Sequence, residues 1–341
     1  MNLKTYTLAA LIALGHAVQP AEAEDIAGFD RFDVRAEHRS QLVAGSIWYP
    51  PGGRTYRSVI GENPVFVGTS VFVGAPVAEG QHPVVLFSHG SGGNMDGLGW
   101  LSSRLALAGA IVIAVNHPGS TSGDSSPRRS LHLTDRAADL SAALDTVLAD
   151  PNLGPFIDQS RITAMGFSLG GSTALKLAGA TFDRLVFRDY CLARQDTDVG
   201  CIFLAKGGVD LDHLPANWDV STVDPRITST IAIDPGFTHA IGAESAALLT
   251  MPTLVINLGE DRWEAVDVGP EGSDFVARLP KARYHITDTA NHFTFLPVCK
   301  PAGEAILREE QDDPVCTDPE GTDRAAIHEE IAGQIRAFLD L

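Results

Sequence analysis

The stretch RITAMGFSLGGSTAL, from Arg161 to Leu175, constrains this chain more than any other. A short apolar run leads into Gly166-Phe167-Ser168-Leu169-Gly170, and small residues at helical spacing follow it. A strand that passes directly into a helix at Gly-x-Ser-x-Gly must hold its serine in a sharp, strained turn, with Oγ exposed above a sheet. Glycines flank Ser168 because a Cβ on either side would collide with the neighbouring strand or helix. The helix behind the serine aims backbone N–H groups and a positive dipole end at the space beside Oγ, where a developing negative charge would be stabilised. A serine in an ordinary strand–helix turn is the competing reading, so the rest of the chain must supply the partners a reactive serine needs.

The surrounding pattern predicts a mainly parallel sheet with helices on both faces. Pro83-Val-Val-Leu-Phe-Ser88 and Ala110-Ile-Val-Ile-Ala-Val115 are continuous apolar runs, as in strands buried on both sides. A helix over 98–108 separates them. A second helix over 134–149 carries Leu140, Leu144, Val147 and Leu148 on one stripe, with Thr134 as its N-cap. The alternation resumes with strands at 230–234, 252–257 and 283–287. It ends in a helix over 323–339 that places Ile327, Ile331, Ile335 and Phe338 on one face. Before this series, residues 29–49 alternate as an antiparallel pair of strands, and 54–80 reads as a surface excursion. Residues 182–226 interrupt the series as a polar, cap-like insertion with exposed-looking apolar residues Leu185, Phe187, Phe203 and Trp218.

Composition bounds the setting. An apolar content of 44% over 341 residues fits one large core, and a formal charge of −18 argues against nucleic acid or an anionic membrane surface as partner. Lys4, the apolar run 8–18 and Ala21-Glu22-Ala23 have the pattern of a secretory signal peptide over 1–23, too short to span a bilayer. The mature catalytic domain is then 24–341, and the protein is expected to be secreted or periplasmic. In that oxidising setting the four cysteines are expected to pair locally, Cys191 with Cys201 and Cys299 with Cys316. No Cys-x-x-Cys or Cys/His spacing suggests a metal. Nothing in the sequence sets the oligomeric state.

A serine hydroxyl is a poor nucleophile until a base takes its proton. In a strand–serine–helix architecture the acid and then the histidine follow in chain order, the histidine in a loop after the last strand. Asn291-His292-Phe293 occupies that place, which predicts His292 as the base. His285, inside a strand, and His328, inside the last helix, read as structural. Two carboxylates can orient the base: Asp234, which closes the strand TIAID before Pro-Gly, and Asp261, in the loop after the next strand. Asp234 is preferred, because a carboxylate closing a buried apolar strand is costly without a partner. The oxyanion donors are expected at the backbone of Leu169 and of Ser91 in His89-Gly90-Ser91-Gly92-Gly93, a glycine turn that lacks the lysine of a phosphate loop. His89, Gly90 and His117 are expected to line the substrate site.

The motifs SHGSGG, NHPG, GFSLGG, AIDPG and ANHFTF together resemble the α/β-hydrolase superfamily. More narrowly they resemble bacterial relatives of platelet-activating-factor acetylhydrolases and the predicted dienelactone hydrolase group. The resemblance spans most of 84–295 apart from the insertion. It implies Ser168 as nucleophile, where true dienelactone hydrolases carry cysteine. It further implies His292 as base and Ser91 and Leu169 as oxyanion donors. The acetylhydrolases imply Asp234 as the acid; cutinase-like polyester hydrolases imply Asp261. The implied reaction is hydrolysis of short-acyl, phospholipid acetyl or polyester-type carboxylic esters, without metal or organic cofactor. An amidase or peptidase with the same triad, and a non-catalytic binding module on the same fold, are the alternatives.

Overall fold

The computed structural model describes residues 25–260 and 262–341, so the signal-peptide pattern and Asp261 lie outside the described residues. In chain order the strands are β1 (Ala27–Val34), β2 (Val43–Tyr49), β3 (Tyr56–Ile60), β4 (Thr69–Val73), β5 (His82–Ser88), β6 (Ile111–Val115), β7 (Ser120–Thr121), β8 (Asp124–Ser125), β9 (Ile157–Phe167), β10 (Ser229–Ile233), β11 (Thr253–Leu258) and β12 (Ala282–Thr287). The helices are α1 (Gly99–Leu107), α2 (Pro127–Ser130), α3 (Leu133–Ala149), α4 (Leu169–Leu177), α5 (Arg184–Arg194), α6 (Val199–Lys206), α7 (Ala243–Ala247), α8 (Gly303–Glu310) and α9 (Arg324–Leu339).

Ten strands form one sheet in the order β12-β11-β10-β9-β5-β6-β2-β1-β4-β3, and β7 pairs with β8 as a separate two-stranded ribbon. From β12 to β6 every pairing is parallel; β2 joins β6 antiparallel, and β1 pairs antiparallel with β2. Because side chains alternate across a strand, β5 sends Val85 and Phe87 to one core and Val84 and Leu86 to the other. Strand β9 does the same with Met165 and Phe167 against Ile162 and Ala164. Helices α1 and α9 cover the first face, with Leu101, Leu105, Ile331 and Ile335 buried there. Helix α3 covers the second, through Leu140, Leu144 and Val147. Strands buried on both faces need the continuous apolar runs that the sequence carries.

Three local expectations are corrected. Residues 54–80 are not a simple excursion, because β3 and β4 pair antiparallel and β4 runs parallel to β1, extending the sheet edge. Thr134 does not cap α3; the helix starts one residue earlier, and Thr134 Oγ1 donates to the Asn217 carbonyl instead. In 182–226, Leu185 and Phe203 are exposed, but Phe187 and Trp218 are buried, and α5 and α6 are joined by the Cys191–Cys201 disulfide. Trp218 sits fully inside because its Nε1 donates to the Leu131 carbonyl and its ring packs against Phe182, Phe187 and Phe237. The second disulfide joins Cys299 to Cys316 across α8.

Candidate active site

The parallel strands end on one rim, and the described residues singled out for chemistry lie just past such ends, where α/β sheets place their ligands. Ser168 follows β9, His89 to Ser91 follow β5, Asp234 follows β10, and His292 opens a short 3₁₀ turn after β12. Ser168 has φ 56° and ψ −120°, a left-handed conformation that a non-glycine residue adopts only under constraint. The constraint is backbone: Ser168 N–H donates to the Ile233 carbonyl at 2.9 Å, and its own carbonyl accepts from Gly171 at 2.9 Å. The turn closes so tightly that a Cβ on Gly166 would lie 1.9 Å from the Gly170 oxygen, and one on Gly170 would lie 2.0 Å from the Ser88 oxygen. Both glycines are therefore required by close approach of backbone to backbone.

Ser168 Oγ lies 3.0 Å from His292 Nε2, and His292 Nδ1 lies 2.9 Å from Asp234 Oδ2. A carboxylate only accepts, so Nδ1 carries the proton and donates to Asp234, which leaves Nε2 bare to accept the Ser168 hydroxyl proton. Asp234 is fully buried, and its other oxygen accepts from Asn257 Nδ2 at 2.8 Å and from the Leu258 N–H at 2.9 Å. Those two donors pay for burying the carboxylate and fix which oxygen faces the histidine. The imidazole is gripped in turn by Phe167 and Trp263, at ring-centroid distances of 4.7 and 4.9 Å. Its turn is locked by a capping box, in which Asn291 Oδ1 accepts from Phe293 and Thr294, and Thr294 Oγ1 accepts from the Asn291 N–H. Thr294 Oγ1 also donates to Asp318, which Arg324 holds with two nitrogens.

Ser91 lies beside Ser168 on the crevice wall, and Leu169 is the first residue of α4, so its N–H has no acceptor within the helix. Gly90 reaches the site by backbone, since a Cβ there would lie 3.2 Å from Ser168 Cβ. Of the two histidines expected to line the site, His89 borders a crevice that Ser168 and His292 share, and His117 is buried behind it. His117 is fully buried, its ring nitrogens 2.9 Å from Ser88 Oγ and 2.9 Å from Asp139 Oδ2, and His89 is 1% exposed with its ring turned inward. The His117 ring is not free to meet a substrate. Sequence reasoning also passed over Arg136, Asp139, Asn257 and Asp318. The available signal was Arg136 and Asp139 themselves, two charges on the stripe of α3 that also carries Leu140 and Ala143.

Ser168 and His292 open onto two crevices. One, of about 850 Å3, is lined by Asn63, Phe66 and Leu296 and by the acidic side chains of Glu62, Glu310 and Asp312. The other, of about 600 Å3, is mostly apolar and is walled by Phe187, Tyr190, Phe203, Phe237 and Trp263. Residues of α5 and α6 thus supply one side of the site. Among the described residues, no cluster of three or more histidine, cysteine or acidic side chains is arranged to hold a metal ion.

Burial lowers the pKa of four histidines, His117 to about 3, His328 to about 4, and His89 and His239 in the same direction. The Arg136 charge adds to burial at His89 and His117. In the unfolded chain these rings protonate near their ordinary value of about 6.5, so below that pH the unfolded state binds more protons and folding weakens. His38, raised by its hydrogen bond to Asp139, acts in the opposite direction. This contribution is complete above about pH 6.5 and is lost as pH falls towards 4. The melting temperature at pH 4.5 is expected about 5 °C or more below that at pH 7. Equal melting temperatures would mean that the native state takes up these protons.

A model described as the alpha/beta hydrolase family matches residues 85–334. Curated relatives include Lipase 1 of Moraxella sp. (strain TA144), 42% identical over 79 residues, covering 23% of this chain and 22% of that one. Cutinase est1 of Thermobifida alba is 29% identical over 154 residues, covering 43% of this chain and 40% of the relative. Cutinase cut1 of Thermobifida fusca is 28% identical over 186 residues, covering 50% and 47%. The chain thus spans less than half the length of these curated relatives. The solved structure of a ferulic acid esterase from Streptomyces cinnamoneus superposes with a TM-score of 0.61 at 18% identity, over 95% of this chain and 92% of that one. At that identity the likeness is one of fold. The family match covers well over half of the chain, and the sheet order and crossover helices agree with it: the chain belongs to the alpha/beta hydrolase family.

Proposed function

We propose that the protein is an exported serine hydrolase that cleaves carboxylic esters through an acyl-enzyme. One observation carries this reading: Ser168 Oγ, His292 and Asp234 form a hydrogen-bonded series at 3.0 and 2.9 Å beside the N-terminus of α4. In the reaction His292 Nε2 takes the Ser168 proton as Oγ bonds to the ester carbonyl carbon. The carbonyl oxygen becomes an oxyanion and is met by the Ser91 and Leu169 N–H groups. The imidazolium, stabilised by Asp234, protonates the departing alcohol, and the acyl group remains on Ser168. Water then repeats the sequence with His292 as base and releases the acid.

The names of the relatives, a lipase, cutinases and a ferulic acid esterase, support an ester as substrate. Crevices of about 850 and 600 Å3 flank the serine, so both halves of the ester have room. That favours a polyester segment or another two-armed ester over a simple acetyl ester, with the apolar half against Phe187, Phe203 and Trp263. Residues 182–226 act as a cap on this side. Export is supported by the two disulfides and the N-terminal sequence pattern.

A fluorophosphonate probe followed by peptide mapping tests the reading. A single modification at Ser168, prevented by prior incubation with a p-nitrophenyl ester, is the expected result. Folded protein that resists labelling would point instead to a binding module, and equal turnover of p-nitrophenyl esters and p-nitroanilides would favour an amidase.

A further inference from the structure

Arg136 is a buried cation whose direct partners are all neutral. It lies in α3, 1% exposed, and Asp139 one turn away is committed elsewhere, to Arg39, His38 and His117. The guanidinium instead donates to Ser88 Oγ at 3.0 Å, to Thr173 Oγ1 at 2.9 Å, and to Ser120 Oγ and the His89 carbonyl. Burying a charge without a direct counter-ion is unfavourable, and burial lowers the Arg136 pKa to about 9. Stability alone gives no reason to keep a cation there. Its four contacts do give one, because they join the three segments that surround the oxyanion site.

The first arm runs through β5 and the glycine turn. His89 Nδ1 lies 2.7 Å from the Gly90 carbonyl, and His89 Nε2 lies 3.2 Å from the His117 N–H. A carbonyl only accepts and a backbone N–H only donates, so His89 is neutral with its proton on Nδ1. The Gly90 carbonyl is thus drawn inward, and the Gly93 N–H binds the same oxygen at 3.1 Å. In a trans peptide the next N–H points the opposite way, which turns the Ser91 N–H away from the His89 ring, in a residue that lines the same crevices as Ser168. The second arm is Thr173, whose Oγ1 donates to the Leu169 carbonyl at 2.9 Å and so ties Arg136 to the first turn of α4. The third is Ser120, whose carbonyl accepts from the Gly92 N–H at 2.9 Å.

We propose that Arg136 is a positioning residue for the oxyanion hole, a brace that sets the Ser91 and Leu169 N–H groups at the spacing one oxyanion requires. The inference rests on the reading of Ser168 as nucleophile. His89 transmits the brace to Ser91, and Thr173 transmits it to α4. Misplacing one donor is equivalent to losing it, which typically lowers kcat by about 10²–10³. Ground-state binding in the crevices is left as it was.

The test compares Arg136→Met, Arg136→Lys and Thr173→Val with the wild type, using a p-nitrophenyl ester and an alkyl boronic acid, which becomes tetrahedral on the serine. Arg136→Met is expected to lower kcat about 100-fold with KM within about threefold, and to weaken the boronic acid by the same factor as kcat/KM. Arg136→Lys, which cannot reach all four partners, should fall between. Thr173→Val, which removes one arm and leaves the guanidinium in place, should lower kcat about tenfold. If Arg136→Met does not fold, Thr173→Val and Arg136→Lys decide. A folded variant in which kcat and KM change together, or boronic acid affinity holds while kcat falls, would overturn the brace. Wild-type enzyme that fluorophosphonate fails to label would overturn the nucleophile reading instead.

Discussion

Ser168→Ala is expected to lower kcat for a p-nitrophenyl ester by about 10⁵-fold and to leave stability within about 1 kcal/mol of the wild type. The two effects separate because the side chain and the backbone at this position do different work. The hydroxyl makes one hydrogen bond, to His292 Nε2, and removing it leaves that nitrogen beside the crevices that His292 borders, where water can satisfy it. The left-handed turn is held by backbone bonds to Ile233, Gly171 and Gly236, all of which alanine keeps. Any remaining turnover would come from the oxyanion donors acting on water attack. The check is turnover and thermal melting on one preparation. Normal melting with retained turnover would remove Ser168 from the mechanism and leave the buried His292–Asp234 pair without a nucleophile.

What the sequence made legible was whatever depends on neighbours in the chain. The buried strands β5, β6, β10 and β11 and the C-terminal half of β9 read clearly because a strand covered on both faces needs an unbroken apolar run, and α9 read clearly from its Ile327, Ile331, Ile335 stripe. Ser168 was legible because the glycines on either side are needed locally. Asp234 stood out as a charge at the end of an apolar strand. Strands β3 and β4 escaped because they lie at the sheet edge, where β3 is almost wholly exposed and carries no alternation. His117 was misplaced for a different reason. Its position after β6 suggested a rim residue, but its ring is drawn inward by Ser88, 29 residues before it, and by Asp139, 22 residues after. Arg136 binds partners from 16 to 48 residues away, and no local pattern announces such a contact. Long-range polar contacts among buried groups are set by the assembled fold, and they are what complete this site.

Asp234→Asn is expected to lower kcat by about 10⁴-fold with little change in structure, and the reason lies in the oxygen that faces away from the histidine. Asp234 Oδ1 accepts from Asn257 Nδ2 and from the Leu258 N–H, two donors that cannot reverse their roles where they stand, since Asn257 Oδ1 already accepts from Tyr284 and from the Val268 N–H. An asparagine at 234 must therefore present its carbonyl oxygen to them and turn its NH2 towards His292 Nδ1. Facing a donor, Nδ1 gives up its proton and accepts, the proton moves to Nε2, and Nε2–H then points at the Ser168 oxygen it should be deprotonating. The enzyme would keep its geometry and hold the wrong tautomer. Raising the pH should restore part of the activity, because hydroxide can assist where the misprotonated histidine cannot, whereas a merely misfolded variant would not recover. A mild effect of Asp234→Asn beside a severe one at Asp261→Asn would transfer the role of acid to Asp261.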